Sequence, residues 1–257
     1  MSNVQSDMFA LVLGDSRSLP RGTAKVSYRE TYPYLMEAWW KARSEDGNVT
    51  IWPWADGSLL IQEVLERYKK FRFYFGDARL DVCLVMVGLV DCAPRPLSWG
   101  ARDRLSRWPE PVKRLAIRWL HRHRPWLLSH GLFFRFTEPV PFRKTFGELL
   151  QGISKGFQRG YVINIAPAAE LNYARSPGLK ESIEEYNALI AQETARFDNL
   201  ALVDIWGDFM YGGVPLEAYL CDDDGMHFTA QGHWRVHELI VREEQRRSRA
   251  WKGGGPA

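Results

Sequence analysis

Met8-Phe-Ala-Leu-Val-Leu-Gly-Asp-Ser16 is an apolar run that stops at a glycine, an acid and a hydroxyl. Its apolar residues show no polar alternation, which suits a strand buried on both faces of a sheet. Four further runs of similar character follow, at 48–52, 81–87, 160–165 and 200–204. Helical patterns separate them. Leu60, Ile61, Val64, Leu65 and Tyr68 share one side of a first helix. Leu179, Ile183, Tyr186, Ile190 and Phe197 make a stripe at spacings of three, four and seven, and a last helix starts near Thr229 with Trp234, Val236, Leu239 and Ile240. Strands alternating with helices predict an α/β fold around a parallel sheet.

More than sixty residues separate the third and fourth runs. A simple crossover needs far fewer. The reading is therefore one domain over 1–257, with a helical cap inserted at about 99–145. The chain has 257 residues, 46% hydrophobic and 25% charged, enough for a sizeable core. Its net charge of +3 lacks the strong basic excess of a nucleic-acid binder, so no nucleic-acid partner is expected. Three cysteines without CxxC spacing argue against a disulfide framework or a zinc site. His233 and His237 lie four apart without a further ligand motif, and a solvated helix face is the preferred reading. Neither metal nor cofactor is expected. The polar start at 1–7 and the short apolar run after it lack the features of a secretory signal, so a cytoplasmic protein is expected. No run approaches the length of a membrane span.

In open α/β sheets the chemistry gathers at the carboxyl ends of the strands. The first run ends in Gly14-Asp15-Ser16, the second leads to Gly57, and the third ends in Gly88-Leu-Val-Asp91. The fifth is followed by Asp222-Asp-Asp-Gly-Met-His227. A serine hydroxyl is a weak nucleophile and needs a neighbouring base. The His227 imidazole suits that role, and Asp224, three residues earlier, can reach its far nitrogen on a tight turn. Asp222 or Asp223 could take the place of Asp224. A developing oxyanion needs donors, for which the amides of Ser16 and Gly57 are the candidates. Ser16 also fits the plainer role of a helix N-cap, and Gly57 that of a turn glycine.

These blocks resemble the SGNH/GDSL serine hydrolases. Gly14-Asp-Ser16 matches their first block, Gly57 their second, Gly88-Leu-Val-Asp91 imperfectly their third, and Asp224-Gly-Met-His227 the last. The resemblance covers nearly the whole chain outside the cap. It implies a three-layer α/β/α sandwich with a five-stranded parallel, flavodoxin-like sheet, and Ser16, Asp224 and His227 as the catalytic residues. It also implies a departure. Where the family's third block carries an asparagine that donates to the oxyanion, this chain has Val90, whose side chain donates nothing. Arg95 is the candidate substitute, or a binder of an acidic group on the substrate. Asp15, Arg17, Gly88, Val90, Asp91 and Arg95 together form the candidate substrate-binding set.

The expected activity is hydrolysis of a carboxylic ester, an O-acetyl group on a carbohydrate or glycan precursor foremost, through an acyl-serine. Transfer of the acyl group to another alcohol, and lipid or thioester hydrolysis, use the same residues. A non-catalytic glycan- or lipid-binding protein is the reading from another class. The span 102–124 holds eight Arg/Lys against Asp103 and Glu110, with an apolar stripe at Val112, Leu115, Ala116, Trp119 and Leu120. Packing of that stripe on the domain is the preferred reading, and contact with an anionic lipid surface the sharper one. Trp39, Trp40, Trp52, Trp54 and Trp99 are candidates to stack on sugar rings.

Overall fold

The computed structural model describes residues 8–44, 47–76 and 78–253. The residues 1–7 that entered the signal argument, and the side chain of Trp99, lie outside the described residues. Five strands, β1 (Met8–Gly14), β2 (Val49–Ala55), β3 (Leu80–Met86), β4 (Phe157–Ile163) and β5 (Leu200–Val203), form one parallel sheet in the order β2-β1-β3-β4-β5. The expected α/β sandwich is the observed one. Strand β2 runs to Ala55, through Pro53 and beyond its expected end at 52. Proline is tolerated there because β2 is an edge strand and needs no second ladder of donors.

Side chains alternate across the sheet with the strand period of two. Leu11, Leu13, Cys83, Val85 and Val162 face one core. It is covered by α2 (Ile61–Phe75), α6 (Pro139–Gly156) and α8 (Leu179–Thr194). Ala10, Val12, Val82, Leu84, Met86, Tyr161 and Ile163 face the other. There α1 (Tyr32–Lys41), α9 (Ile205–Tyr211) and α10 (Ala230–Gly253) pack. Because both faces are covered, the strands read as continuous apolar runs. Short helices α3 (Leu89–Cys92) and α7 (Glu170–Arg175) follow β3 and β4.

The insertion consists of α4 (Trp99–Ser106) and α5 (Glu110–Ser129). Helix α6 starts at Pro139 and buries Phe142, Phe146, Leu149, Leu150 and Ile153, so it is the crossover helix of the sandwich. The segment outside the sandwich therefore ends before α6, short of residue 145. Its neck is closed by an antiparallel bridge. The Arg95 amide donates to the Phe134 carbonyl at 2.9 Å and the Phe134 amide returns to Arg95 at 2.8 Å.

The register decides where the site sits. Gly14 lies level with Ala55 and Met86, Met86 with Ile163, and Ile163 with Val203. All five strands end on one line. The order reverses between β1 and β3, and a crevice opens at such a reversal, at the carboxyl edge.

Candidate active site

Ser16 leaves β1 directly at this reversal. Asp15 caps a single 3-10 turn over 16–18 and accepts the Arg17 amide at 2.9 Å. Gly14 is required by close approach, since a Cβ there would lie 2.2 Å from the Ser18 hydroxyl as it folds back toward Tyr32. Ser16 itself is half-buried. Its backbone amide enters no hydrogen bond of the turn among the described residues.

The loop after β5 builds the other half. Asp224 Oδ1 accepts the amides of Met226 at 2.8 Å and His227 at 3.0 Å, which is why a three-residue separation closes into a tight turn. Asp224 Oδ2 lies 2.5 Å from His227 Nδ1. A carboxylate only accepts, so Nδ1 carries the proton and Nε2 is left as the acceptor. His227 Nε2 lies 2.8 Å from Ser16 Oγ. Burial would raise the Asp224 pKa, but the two amides and the imidazole outweigh it and hold the carboxyl below its ordinary value. Asp224 therefore stays charged as the partner of the ring. The fold thus brings Ser16 and His227, 211 positions apart, together with Asp224 into one hydrogen-bonded relay.

Side chains from other segments brace this loop. Arg21 Nη2 stands 2.5 Å from Asp224 Oδ2 and 3.0 Å from Asp223 Oδ2. Thr23 adds a hydroxyl to Asp223 at 2.8 Å. Asp223, rather than replacing Asp224, ties the loop after Ser16 to the loop of His227. Asn172 Nδ2 donates to the Asp224 carbonyl at 2.7 Å from α7.

The proposed substrate-binding set divides. Asp15 and Arg17 are only 3% and 2% exposed, so neither meets a substrate. Arg17 Nη1 donates to the Ala166 carbonyl at 3.3 Å beneath the turn. Burial pushes the Asp15 carboxyl up and the Arg17 guanidinium down. Gly88 N-caps α3 at φ +113°, with Ile165 and Phe142 where a side chain would point. Asp91 is fully buried. It accepts the Ile61 amide at 3.2 Å, starting α2, and the Thr137 hydroxyl at 2.5 Å. Burial pushes its carboxyl up to about 6. Asp91 is a structural anchor behind the crevice, contrary to expectation, because α2 and the return from the cap both need its oxygens. The Gly57 amide, expected as an oxyanion donor, points instead at the Asp56 carboxylate, 2.7 Å away. Val90 and Arg95 do line a cavity, together with Ser58 and Arg102.

Structures of known proteins give the architecture a name. A lipase/acylhydrolase from Enterococcus faecalis shares 17% identity, with 93% of this chain and 96% of that one covered at a TM-score of 0.61. Axe2, an acetylxylan esterase from Geobacillus stearothermophilus, shares 13% over 94% and 96% at 0.60. The acetyl xylan esterase AlAXEase shares 16% over 92% and 99% at 0.59. No family model and no curated protein matches the sequence. The chain has the SGNH hydrolase fold.

On this SGNH scaffold the cap differs from expectation. Val112, Leu115 and Trp119 are 48%, 66% and 52% exposed, so these residues of the α5 stripe are not packed on the domain, while Ala116 and Leu120 are half-buried. Arg114, Arg118 and Arg122 flank it, also exposed. Of the aromatic residues expected near substrate, those among the described residues are used elsewhere. Trp52 and Trp54 cluster with Phe9, Phe71 and Phe75 on the α2 side, and Trp39 lies under Arg43. His233 and His237 are buried rather than solvated. His233 accepts the Tyr32 amide at 3.3 Å, and burial lowers its pKa to about 4. Among the described residues no cluster of three His, Cys, Asp or Glu side chains is placed to hold a metal. No helix among them is long and apolar enough to cross a membrane.

Proposed function

We propose that this chain is a serine hydrolase of carboxylic esters acting through an acyl-serine. The observation that carries this reading is the continuous relay from Ser16 Oγ through His227 to Asp224, at 2.8 and 2.5 Å. Ser16 Oγ attacks the acyl carbon while Nε2 takes its proton. Asp224 holds the imidazolium that forms. The tetrahedral oxyanion receives the free Ser16 amide. Collapse breaks the bond to the alcohol, which leaves with the proton from Nε2. Water then attacks the acyl-serine by the same route and returns the free hydroxyl.

A small acyl group, acetyl first, on a carbohydrate or glycan precursor is the favoured substrate. Its support is that acetylxylan esterases share this fold. Trp39, Trp40, Trp52 and Trp54 lend it none, since they are taken up in packing. A second reading, a lipid ester reached at an anionic membrane surface, is favoured by the exposed apolar stripe of α5 between exposed arginines.

Fluorophosphonate treatment followed by intact-mass analysis tests the chemistry. One adduct on Ser16, absent from Ser16→Ala and His227→Ala, is the expected result. A wild-type protein that takes no adduct, or Ser16→Ala that retains esterase turnover, overturns the reading.

A further inference from the structure

Two cavities that share lining residues lie under the cap. The larger, about 480 Å³, is lined by Arg95, Arg102, Lys113 and Arg124, with Ile117 and Leu120 as apolar wall. The smaller, about 380 Å³, shares Arg95 and Arg102 and extends to Ser58 and Val90 at the ends of β2 and β3. Ser16 leaves β1 between those two strands.

The charge in the larger cavity is unbalanced. No carboxylate lines it. Lys113 is paired with Glu110. Asp103, at the smaller cavity, is paired with Arg107 at 2.7 Å. Among the described residues, Arg95, Arg102 and Arg124 have no carboxylate within salt-bridge distance. The Nε atoms of Arg95 and Arg124 are buried without a hydrogen-bond partner. Arg95 lies over the Phe136 ring at 4.2 Å and is fixed by its backbone bridge to Phe134. Arg124 is held by one bond to the Pro94 carbonyl at 3.0 Å. Burial first, and then the charges of Arg102 and Arg124, lower the Arg95 pKa to about 10. Like charges gathered in a half-buried cleft repel, and unsatisfied buried donors cost free energy. An oxyanion relieves both.

We infer that the cap cleft binds a phosphate-type oxyanion on the substrate, with Arg95, Arg102 and Arg124 as its ligands. Guanidinium forks match the tetrahedral oxygens of phosphate in pairs, which an isolated lysine does not. Ile117 and Leu120 receive the organic part beside the anion. That this anion belongs to the ester substrate rests on the serine-hydrolase reading; the site itself does not.

Calorimetric titration at low ionic strength tests it, using inorganic phosphate and glycerol 1-phosphate on wild type, Ser16→Ala, Arg102→Ala and Arg102→Lys. Arg102 is exposed, so its replacement leaves the core untouched. Saturable binding to wild type, weakened at least tenfold in Arg102→Ala and partly restored in Arg102→Lys, is the expected result. Flotation with phosphatidylglycerol or phosphatidylcholine vesicles separates the sources. Binding of glycerol 1-phosphate assigns a soluble ligand. Binding of phosphatidylglycerol vesicles alone, lost in Arg102→Ala, assigns a lipid headgroup. Binding of neither, or binding equal in wild type and Arg102→Ala, overturns the site. Phosphate binding by Ser16→Ala without any Ser16 labelling of wild type would retire the hydrolase reading and leave the anion site standing.

Discussion

Replacing Asp91 by asparagine separates a buried anchor from a substrate-binding carboxylate. The side chain is fully buried, and its pKa stands near 6 against an ordinary value of 3.8. Two units at about 1.4 kcal/mol each amount to about 3 kcal/mol of pH-linked stability. The sign follows from which state holds the proton. Below about pH 4 both the folded and the unfolded carboxyl are protonated, and nothing is lost. Between about pH 4 and 6 the unfolded chain releases its proton while the folded one keeps it, so stability falls as pH rises, levelling off above about 6. Asparagine keeps an acceptor for the Ile61 amide and the Thr137 hydroxyl and has no charge to bury. Any fixed cost of its NH₂ group is independent of pH and cancels in the comparison. Urea unfolding of wild type and Asp91→Asn from pH 4 to 8 gives the difference. The variant should gain about 2–3 kcal/mol on wild type across that range, with ester turnover retained. A difference that stays flat with pH refutes the burial argument. Lost turnover in a folded variant would return Asp91 to the substrate-binding set.

Asp224→Asn removes the acceptor that fixes the His227 tautomer and should lower kcat by about 10²–10⁴-fold with little change in thermal midpoint; an unaltered kcat would exclude Asp224 from the relay. Asp56→Ala frees the Gly57 amide, now 2.7 Å from that carboxylate, and should raise kcat several-fold if the amide serves the oxyanion. Steady-state kinetics showing no gain would leave Ser16 as the backbone donor. Leu115→Glu with Trp119→Glu places two carboxylates on the exposed face of α5 and should abolish co-sedimentation with phosphatidylglycerol vesicles without loss of folding. Undiminished sedimentation would remove α5 as a membrane contact.

Much of this architecture was legible because local signals agreed. Continuous apolar runs named the strands, and the run 8–13 with its terminal Gly14-Asp-Ser16 placed the first of them within a residue. Asp224 and His227 were legible because the Asx turn joining them is a local structure with fixed spacing. What was not legible depends on long-range contacts. Arg21 reaches Asp224 across more than two hundred residues, and no local pattern names that partner. Asp91 looked like a site residue because it follows β3, yet its direction is set by Ile61 and Thr137. The α5 stripe has the period of a packed helix, and period alone does not say whether a partner covers it.

Val90 links the two unusual features of this site. Its side chain lines the smaller cavity and donates nothing, and a missing oxyanion donor costs about 10²–10³ in rate when nothing replaces it. The Gly57 amide is engaged with Asp56, and Arg95 is held at the neck of the cap by Phe134 and Phe136. The remaining reserve is binding energy away from the reacting carbon, which raises kcat when it is realised more fully in the transition state than in the ground state. The cationic cleft, which shares Arg95 and Arg102 with the cavity at Val90, is placed to supply it. An acetyl ester of glycerol phosphate should therefore show a higher kcat, and not only a lower KM, than the same ester without the phosphate. Arg102→Ala should erase that advantage. Equal kcat values for the two esters on wild type would refute the coupling, because a cleft that lowers KM alone binds ground state and transition state alike.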